Sequence, residues 1–178
     1  MTPEARVLAE AFMDDPLMAY FWPEPDRRRR ALPHFWHSRV EARRRKGFVD
    51  TASDGGEIVS VVLWEKPGVV SPMAKPLSLI RALGSAIPRA LAVSRRIESL
   101  RPDSPHLYLA CGGALPTARG KGLTSNLVKA RIDASDTDIF VIATNETSVI
   151  LAEHGGFRST GELVIGRDTV LTGMLRTV

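Results

Sequence analysis

The sequence predicts a single domain of the α/β class, residues 1–178, with a mixed β-sheet. Its 178 residues suffice for one full hydrophobic core, and 44% hydrophobic with 25% charged residues is ordinary for a globular domain. Amphipathic stretches with helical spacing alternate with short apolar runs that favour strands. A glycine-rich turn at 116–124 joins one of these runs to a helix. Together, these observations indicate helices packed on a sheet.

Two helices are predicted before the first strand. Residues 2–4 combine an N-cap threonine, a proline at the first helical position and an acidic first turn, and apolar residues continue the helix to about Met13. The Asp-Asp-Pro at 14–16 closes it, and 21–25 is predicted to be a turn rich in aromatic residues. A second helix is expected from Asp26 to about Lys46.

The next segments predict a hairpin and a helical insert. Strands are expected at 48–50 and 57–64, around the turn at 54–56, followed by a loop at 67–72. Residues 71–104 form an insert before the central strand. Its helical stretch is broken near Gly84 and Pro88, which predicts two helices in a hairpin.

The C-terminal half alternates strands and helices. The central strand is expected at 107–114, and helices are expected after the glycine-rich turn and before Gly155. The remaining strands are predicted at 138–143, 160–165 and 169–175.

The glycine-rich turn has the chemistry of an anion site. The first amides of a helix have no intrahelical partner, and Gly120 and Gly122 lack the Cβ atoms that would block a phosphate. Arg119 and Lys121 add positive charge. We therefore expect this turn to bind the phosphates of a cofactor.

Composition argues against several other classes of function. The net charge is +4, with arginine runs at 27–30, 43–45 and 95–96, but there is no aromatic-interleaved basic stripe or zinc-finger spacing, so no nucleic-acid partner is expected. No run approaches the roughly 20 apolar residues of a membrane span. The four histidines have no metal-site spacing. With Cys111 as the one cysteine and no secretory signal pattern, the cytoplasm is the expected compartment.

The element order, together with Arg119-Gly120-Lys121-Gly122, Asn145 and the ending Gly156-Phe157, resembles the GNAT superfamily of acyl-CoA-dependent N-acyltransferases over nearly the whole chain. The segments 8–12 and 25–27 and the helical insert look closest to the puromycin N-acetyltransferase branch. The resemblance implies a mixed, mostly antiparallel sheet with splayed central strands, flanked by helices. Family members begin with a strand that is missing here, which leaves an edge to solvent or to a partner subunit in a homodimer.

The resemblance also implies acetyl-CoA, or another acyl-CoA, as co-substrate, with no metal. Thr124 stands where the family usually has glycine or alanine, and its β-branched side chain is expected to narrow the approach to the turn. Asn145 and Ser148 would contact the cofactor arm or brace the splay, with helix capping as the alternative role. A bulge that pairs with pantetheine is expected at 112–114. The cofactor-binding residues implied are Gly112, Gly113, Ala114, Arg119, Gly120, Lys121, Gly122, Leu123, Thr124, Asn145 and Ser148.

The resemblance leaves the catalytic groups open. The family's usual acid is a tyrosine four residues before the glycine of Gly-Phe, and Ala152 occupies that position here. Another residue or water could protonate the leaving thiolate, or Tyr108 or His106 could supply the chemistry. The third alternative is a protein that binds or senses an acyl-CoA without transferring the acyl group.

The acceptor pocket is expected between the first two helices, the aromatic turn and the helical insert. Phe21, Trp22 and Trp64 are predicted to line it, whereas Phe35 and Trp36 are assigned to the core. Acidic residues are few in these segments, which favours a small amine over a polycation. The sequence thus predicts an N-acetyltransferase that acts by direct transfer to a small-molecule amine, with the oxyanion held by amides near Gly112 and Gly113.

Overall fold

The computed structural model describes residues 1–69 and 74–178. Within them it has seven α-helices and six strands. Their bounds are α1 Pro3–Ala11, α2 Pro16–Phe21, α3 Pro25–Lys46, β1 Gly47–Asp54, β2 Glu57–Glu65, α4 Pro76–Leu83, α5 Ile87–Glu98, β3 Leu107–Ala114, α6 Leu123–Asp133, β4 Ile139–Ala143, α7 Glu146–His154, β5 Arg158–Ile165 and β6 Thr169–Arg176.

The six strands described form one sheet in the order β1-β2-β3-β4-β6-β5. Every neighbouring pair is antiparallel except β3 and β4, which are parallel. The predicted mixed, mostly antiparallel sheet is confirmed. α1 is the first element described, and β1 pairs only with β2, so β1 is an edge strand.

The central strands diverge. β3 pairs with β4 only from Leu107 to Leu109, although β3 stays paired with β2 as far as Ala114. Leu63 of β2 faces Cys111 and the next residue, Trp64, faces Leu109, so Ala110 is the extra residue of a bulge. The bulge expected at 112–114 is therefore at Ala110, and the splay begins there.

Helices cover both faces of the sheet. On one face α1 to α5 enclose the larger core, which includes Leu8, Phe35 and Leu63. On the other face α6 and α7 enclose a smaller core that includes Trp64 and Ile139. The gap between β3 and β4 thus lies between two helical layers.

A short helix, α2, occupies 16–21, where no helix was expected. Asp15 caps it, since its Oδ1 accepts a hydrogen bond of 3.0 Å from the Met18 amide, and Pro16 takes the first helical position. Six residues are too few to show helical periodicity, so the local signal indicated only where α1 ends.

The helical insert contains α4 and α5 separated by a short 3₁₀ turn at Gly84–Ala86. The two helices predicted for the insert are confirmed, and α4 packs mainly on α3 rather than on α5. By length and composition alone, Pro76–Glu98 could cross a membrane, with a mean hydropathy of 1.2. The helix is interrupted at Gly84, which has a positive φ value, and apolar residues such as Leu79 and Val93 are buried in the larger core. Residues 70–73, which belong to the predicted loop and insert, lie outside the described residues.

Candidate active site

The glycine-rich turn presents unpaired main-chain amides. Gly120 and Gly122 have φ values of +78° and +70°, in the left-handed region that favours glycine. Gly122 is the N-cap of α6, and the first helical hydrogen bond runs from the Asn126 amide to its carbonyl at 2.9 Å. No main-chain carbonyl in the described residues accepts from the amides of 123–125. These donors and the helix dipole make the turn suitable for an anion.

The Thr124 side chain is directed under the turn, toward the sheet. Its Oγ1 is 2.8 Å from Ser60 Oγ. A Cβ on Gly112 would lie 3.0 Å from its Cγ2, so this glycine makes room for the threonine. The expectation that Thr124 narrows the approach to the turn is therefore wrong, because the side chain fills space between α6 and the sheet.

Gly113 has the same role on the opposite face. A Cβ there would lie 2.8 Å from Ala11 Cβ and 3.1 Å from Phe12 Cε2. The end of α1 can therefore approach β3 closely only because this residue has no side chain. Two consecutive glycines let α6 and α1 approach β3 from its two faces at the splay.

Both basic side chains of the turn already contact the protein. Arg119 Nη2 donates to the Ala11 carbonyl at 3.3 Å, and Lys121 Nζ lies 2.6 Å from Asp54 Oδ2. The Lys121 ammonium lowers the pKa of the Asp54 carboxyl. These exposed contacts tie the turn to α1 and to the β1–β2 hairpin.

The amides of Gly112 and Ala114 point into the splay. The Leu115 amide donates to the Val59 carbonyl at 2.8 Å, so Leu115 faces β2. Antiparallel pairing alternates the direction of the amides, so Gly113 also faces β2 while Gly112 and Ala114 face the opposite way. Past Leu109, β4 does not pair with β3, which leaves these amides open to the gap.

A buried carboxylate bridges α2 and the end of β4. Asp15 is 8% exposed, and its Oδ2 accepts a 2.6 Å hydrogen bond from Oγ1 of Thr144, the residue after β4. Burial raises the Asp15 pKa. Burial also raises the pKa of the nearby Cys111 thiol, and the Asp15 charge adds to that shift. Asp15 thus lies beside the splay. The sequence indicated it only as a helix boundary, since its contact with Thr144 spans 129 residues.

Asn145 and Ser148 form the N-terminal cap of α7. Asn145 Oδ1 accepts from the Ser148 amide at 2.9 Å and from Ser148 Oγ at 3.0 Å. This is the alternative role stated above; contact with a cofactor stays a prediction. Ala152 lies further along α7, packed against the smaller core, and its methyl group cannot donate a proton.

A cavity of about 140 Å³ lies on the face covered by α1 to α5. Its walls come from α2, α3, α5, β2 and β3, and it reaches the bulge through Ala110 and Cys111. This is the region predicted for the acceptor. The lining residues are Leu17, Met18, Phe21, Phe35, Trp36, Arg39, Arg43, Leu63, Glu65, Val93, Ser94, Ile97, Glu98, Arg101, Tyr108, Ala110 and Cys111.

Of the three aromatic residues predicted for the pocket, Phe21 lines the cavity and two do not. Trp22 is buried and donates from Nε1 to the Ala82 carbonyl at 3.0 Å, so it holds the insert rather than forming an exposed wall. Trp64 is completely buried in the smaller core, on the opposite face. Phe35 and Trp36 belong to the larger core, as the sequence predicted, and they also line the cavity.

Charged groups gather at one wall of this cavity. Glu65, 1% exposed, accepts hydrogen bonds from Arg43 Nη2 and, at 3.1 Å, from Arg101 Nη2. Arg39 stacks on the Phe35 ring at 5.1 Å. Burial, followed by the neighbouring Arg43 charge, lowers the pKa of Arg39 to about 10. Arg39 therefore keeps its charge at neutral pH.

The structure separates the two predicted catalytic candidates. Tyr108 lines the cavity beneath the Arg101 guanidinium, 4.1 Å from its ring, and burial followed by the Glu65 charge raises its pKa to about 12. It therefore holds its proton and is a poor base. His106 precedes β3 at the paired end of the central strands, where Nδ1 is 2.7 Å from the Ser104 carbonyl, and it does not line the cavity.

The structure also bears on Cys111 as a nucleophile and on a metal site. Burial raises the pKa of Cys111 to about 12, so its thiol is a neutral part of the wall rather than a nucleophile. In 1–69 and 74–178, no three His, Cys, Asp or Glu side chains are arranged to hold a metal ion.

Comparisons with known proteins place the fold. No family model matches the chain, and no curated protein matches it. Among solved structures, a histone acetyltransferase HPA2-related acetyltransferase of Corynebacterium glutamicum is 28% identical, with a TM-score of 0.71 over 98% of this chain and 88% of that one. The chain has the GNAT acetyltransferase fold.

Two more distant GNAT structures share only the fold. A mosquito arylalkylamine N-acetyltransferase-like protein is 16% identical, with a TM-score of 0.58 over 98% of this chain and 93% of that one. Arabidopsis thaliana Naa50, solved with a bisubstrate analogue that contains CoA, is 15% identical, with a TM-score of 0.51 over 81% of this chain and 80% of that one.

Proposed function

We propose that the protein is an acyl-CoA-dependent N-acyltransferase that transfers the acyl group, an acetyl group in the first instance, directly to a small amine. One observation carries the proposal: β3 and β4 stop pairing after Leu109, and a cavity reaches β3 at Ala110 and Cys111, where this gap begins. A co-substrate held at the turn can reach the amine through this gap. The similarity to acetyltransferases supports the same reaction.

The chain's main-chain groups would hold the co-substrate. The amides of 119–124 bind the pyrophosphate, because the turn presents donors at the positive end of α6. Gly112 and Ala114 face the gap, whereas Gly113 pairs with β2 and positions α1. We therefore assign the pantetheine and oxyanion contacts to the amides of Gly112 and Ala114. Asn145 Nδ2 makes a long contact of 3.5 Å to Thr144 Oγ1, and its second N–H would donate to the pantetheine arm.

Asp15 is the proton acceptor in this proposal. An amine must lose a proton to attack the thioester, and a carboxylate whose pKa is raised by burial is a stronger base than an exposed one. The departing thiolate needs no acid of its own, since a thiol of pKa about 8.5 can take its proton from solvent. Protonation from solvent is consistent with Ala152, which cannot donate a proton. Tyr108 then only lines the cavity.

Free thiol release tests the reaction. Purified protein with acetyl-CoA and a panel of small amines should release thiol above background, with acetylated amine visible by mass spectrometry. The alternative, a protein that binds acyl-CoA without turnover, is favoured by Ala152 alone. Calorimetric binding of CoA without thiol release from any amine would support that alternative and exclude catalysis.

Replacing Ser125 with glutamate should separate cofactor binding from stability. Ser125 is exposed at the third position of α6, beside the free amides. A carboxylate there should weaken CoA binding about 100-fold through repulsion of the phosphates. The same charge favours a helix N-terminus by about 0.3–1 kcal/mol, so thermal stability should stay equal or rise.

Calorimetry and thermal unfolding of Ser125→Glu and of the neutral control Ser125→Gln check this prediction. The control should bind CoA within a few-fold of the wild type. Equal CoA affinity in the two variants would place the phosphates elsewhere.

The finer assignments are also proposals. The segments 8–12 and 25–27 support the puromycin N-acetyltransferase branch, and the single buried thiol of Cys111 is compatible with a cytoplasmic protein. The free edge of β1 supports a homodimer, which light scattering would detect. We propose no nucleic-acid or membrane partner.

A further inference from the structure

Three residues that line the cavity carry buried nitrogen atoms without a hydrogen-bond partner. In the described part of the chain, Trp36 Nε1, Arg43 Nε and Arg101 Nε are buried without a partner. All three residues line the cavity, and the Trp36 side chain is only 6% exposed. Buried donors without partners are costly, so this part of the wall is polar without being satisfied inside the protein.

The charge of the wall selects an anionic acceptor group. Arg39, Arg43 and Arg101 face the carboxylates of Glu65 and Glu98, which leaves one net positive charge among the lining residues described. Glu65 binds both Arg43 and Arg101, and Glu98 lies 3.5 Å from Arg101. Arg39 forms no ion pair in 1–69 or 74–178, and residues 70–73 include no acid. Its guanidinium is therefore available to a carboxylate.

The rest of the cavity favours a ligand whose remaining part is apolar and small. Leu17, Met18, Phe21, Val93 and Ile97 surround it with hydrocarbon. Its volume of about 140 Å³ is close to that of a protein cavity that holds one benzene molecule. One aromatic ring or a branched aliphatic chain would fill it.

We propose that the acceptor is a free amino acid with an apolar side chain, whose carboxylate binds Arg39 and whose amine faces the bulge at Ala110. This inference rests on the proposed acyl transfer. The amine nitrogen forms a bond to the acyl carbon, the carbon–sulfur bond breaks, the amine proton passes to Asp15, and the thiolate is protonated from solvent.

Phenylalanine and 2-phenylethylamine test the inference because they share a ring and an amine and differ by the carboxylate. With the wild type, kcat/KM should be at least about 10-fold higher for phenylalanine. Arg39→Met should lower it about 10- to 100-fold for phenylalanine, the loss that a hydrogen bond to a charged group implies, and leave 2-phenylethylamine within about twofold.

Two controls complete the design. Arg45→Met removes an exposed arginine from the same helix and should leave kcat/KM unchanged for both amines. Arg39→Lys should retain part of the preference for phenylalanine over 2-phenylethylamine. Equal use of the two amines by the wild type, or an equal loss for both in Arg39→Met, overturns the inference and leaves acyl transfer intact.

Thiol release with other amines of the panel but with neither of these two would also overturn the inference. Absence of release with the whole panel would instead contradict the proposed function, and calorimetry then decides the ligand class. Binding of phenylalanine in preference to 2-phenylethylamine, lost in Arg39→Met, supports the carboxylate site. The same affinity for both compounds, or binding of neither, refutes it.

Discussion

Asp15→Asn should lower kcat for acyl transfer by about 10²- to 10⁴-fold, the range that a general base contributes, while the protein keeps its thermal stability. The change exchanges one carboxylate oxygen for an amide nitrogen and alters the volume very little. It therefore removes the ability to accept a proton at the splay without disturbing the packing there.

The local contacts of Asp15 can survive the substitution. Asparagine is as good an N-cap as aspartate, so its Oδ1 can still accept from the Met18 amide that now lies 3.0 Å from Asp15. The Thr144 hydroxyl, which donates to Asp15, can rotate and accept from the asparagine amide instead. A loss of activity in the variant would thus not be a loss of structure.

The pH dependence gives a second readout. Because the folded pKa of Asp15 is raised above 3.8, its protonated form stabilises the folded state below that pH. This contribution is lost as the pH rises through the folded pKa. At neutral pH the ionised group is a cost that Asp15→Asn removes, so any stability advantage of the variant should shrink on acidification.

Activity should increase with pH, whereas the stabilising effect of protonated Asp15 decreases with pH. The base must be ionised, so wild-type kcat should rise with pH through the raised pKa of Asp15, and the variant should lose this limb. Asp14→Asn, at the exposed neighbouring residue, is the matched control and should behave as wild type. Full activity with an unchanged pH profile in Asp15→Asn would rule out Asp15 as the proton acceptor.

Local sequence signals predicted most of the fold. Helix caps, apolar periodicity and glycine turns act within a few residues, and they located all the strands and the long helices. The turn around Gly120 and Gly122 is of this kind, since positive φ values at both glycines follow from residue type. The phosphate-binding role of that turn, which the free amides and the resemblance both predict, stays a prediction.

The candidate site was less predictable because its contacts join distant segments. Glu65 pairs with Arg43 and Arg101, which are 22 and 36 residues away, and no sequence spacing indicates such pairs. The bulge at Ala110 is set by register between β2 and β3 rather than by glycine. Trp22 follows a helix too short to show periodicity, so its burial could not be expected from a local aromatic turn.

Glu65→Gln should lower the free energy of unfolding by about 3–5 kcal/mol, the usual cost of removing one partner of a buried ion pair. Glu65 is 1% exposed, and the side chains of Arg43 and Arg101 are each 6% exposed. Without the carboxylate, two guanidinium groups would remain buried beside each other and beside Arg39. Urea denaturation monitored by circular dichroism measures the loss.

Simultaneous replacement of Arg43, Glu65 and Arg101, the triad of buried charges, separates their effect on stability from their effect on ligand binding. Arg43→Met, Glu65→Leu and Arg101→Met together remove every charge of the triad, and buried triads replaced by apolar residues are often as stable as the original. The triple variant should therefore recover most of the stability lost in Glu65→Gln. A triple variant no more stable than Glu65→Gln would show that the triad supports the fold through its shape rather than its charge balance.

The same triple variant should bind phenylalanine more weakly than the wild type, even when it is equally stable. The triple variant removes two arginines and one glutamate from the lining, so the wall loses its net positive charge and attracts a carboxylate less strongly. A hydrophobic core could fill this space at no greater cost, so stability alone does not account for three arginines around one glutamate. A ligand whose carboxylate is attracted by the positive wall does.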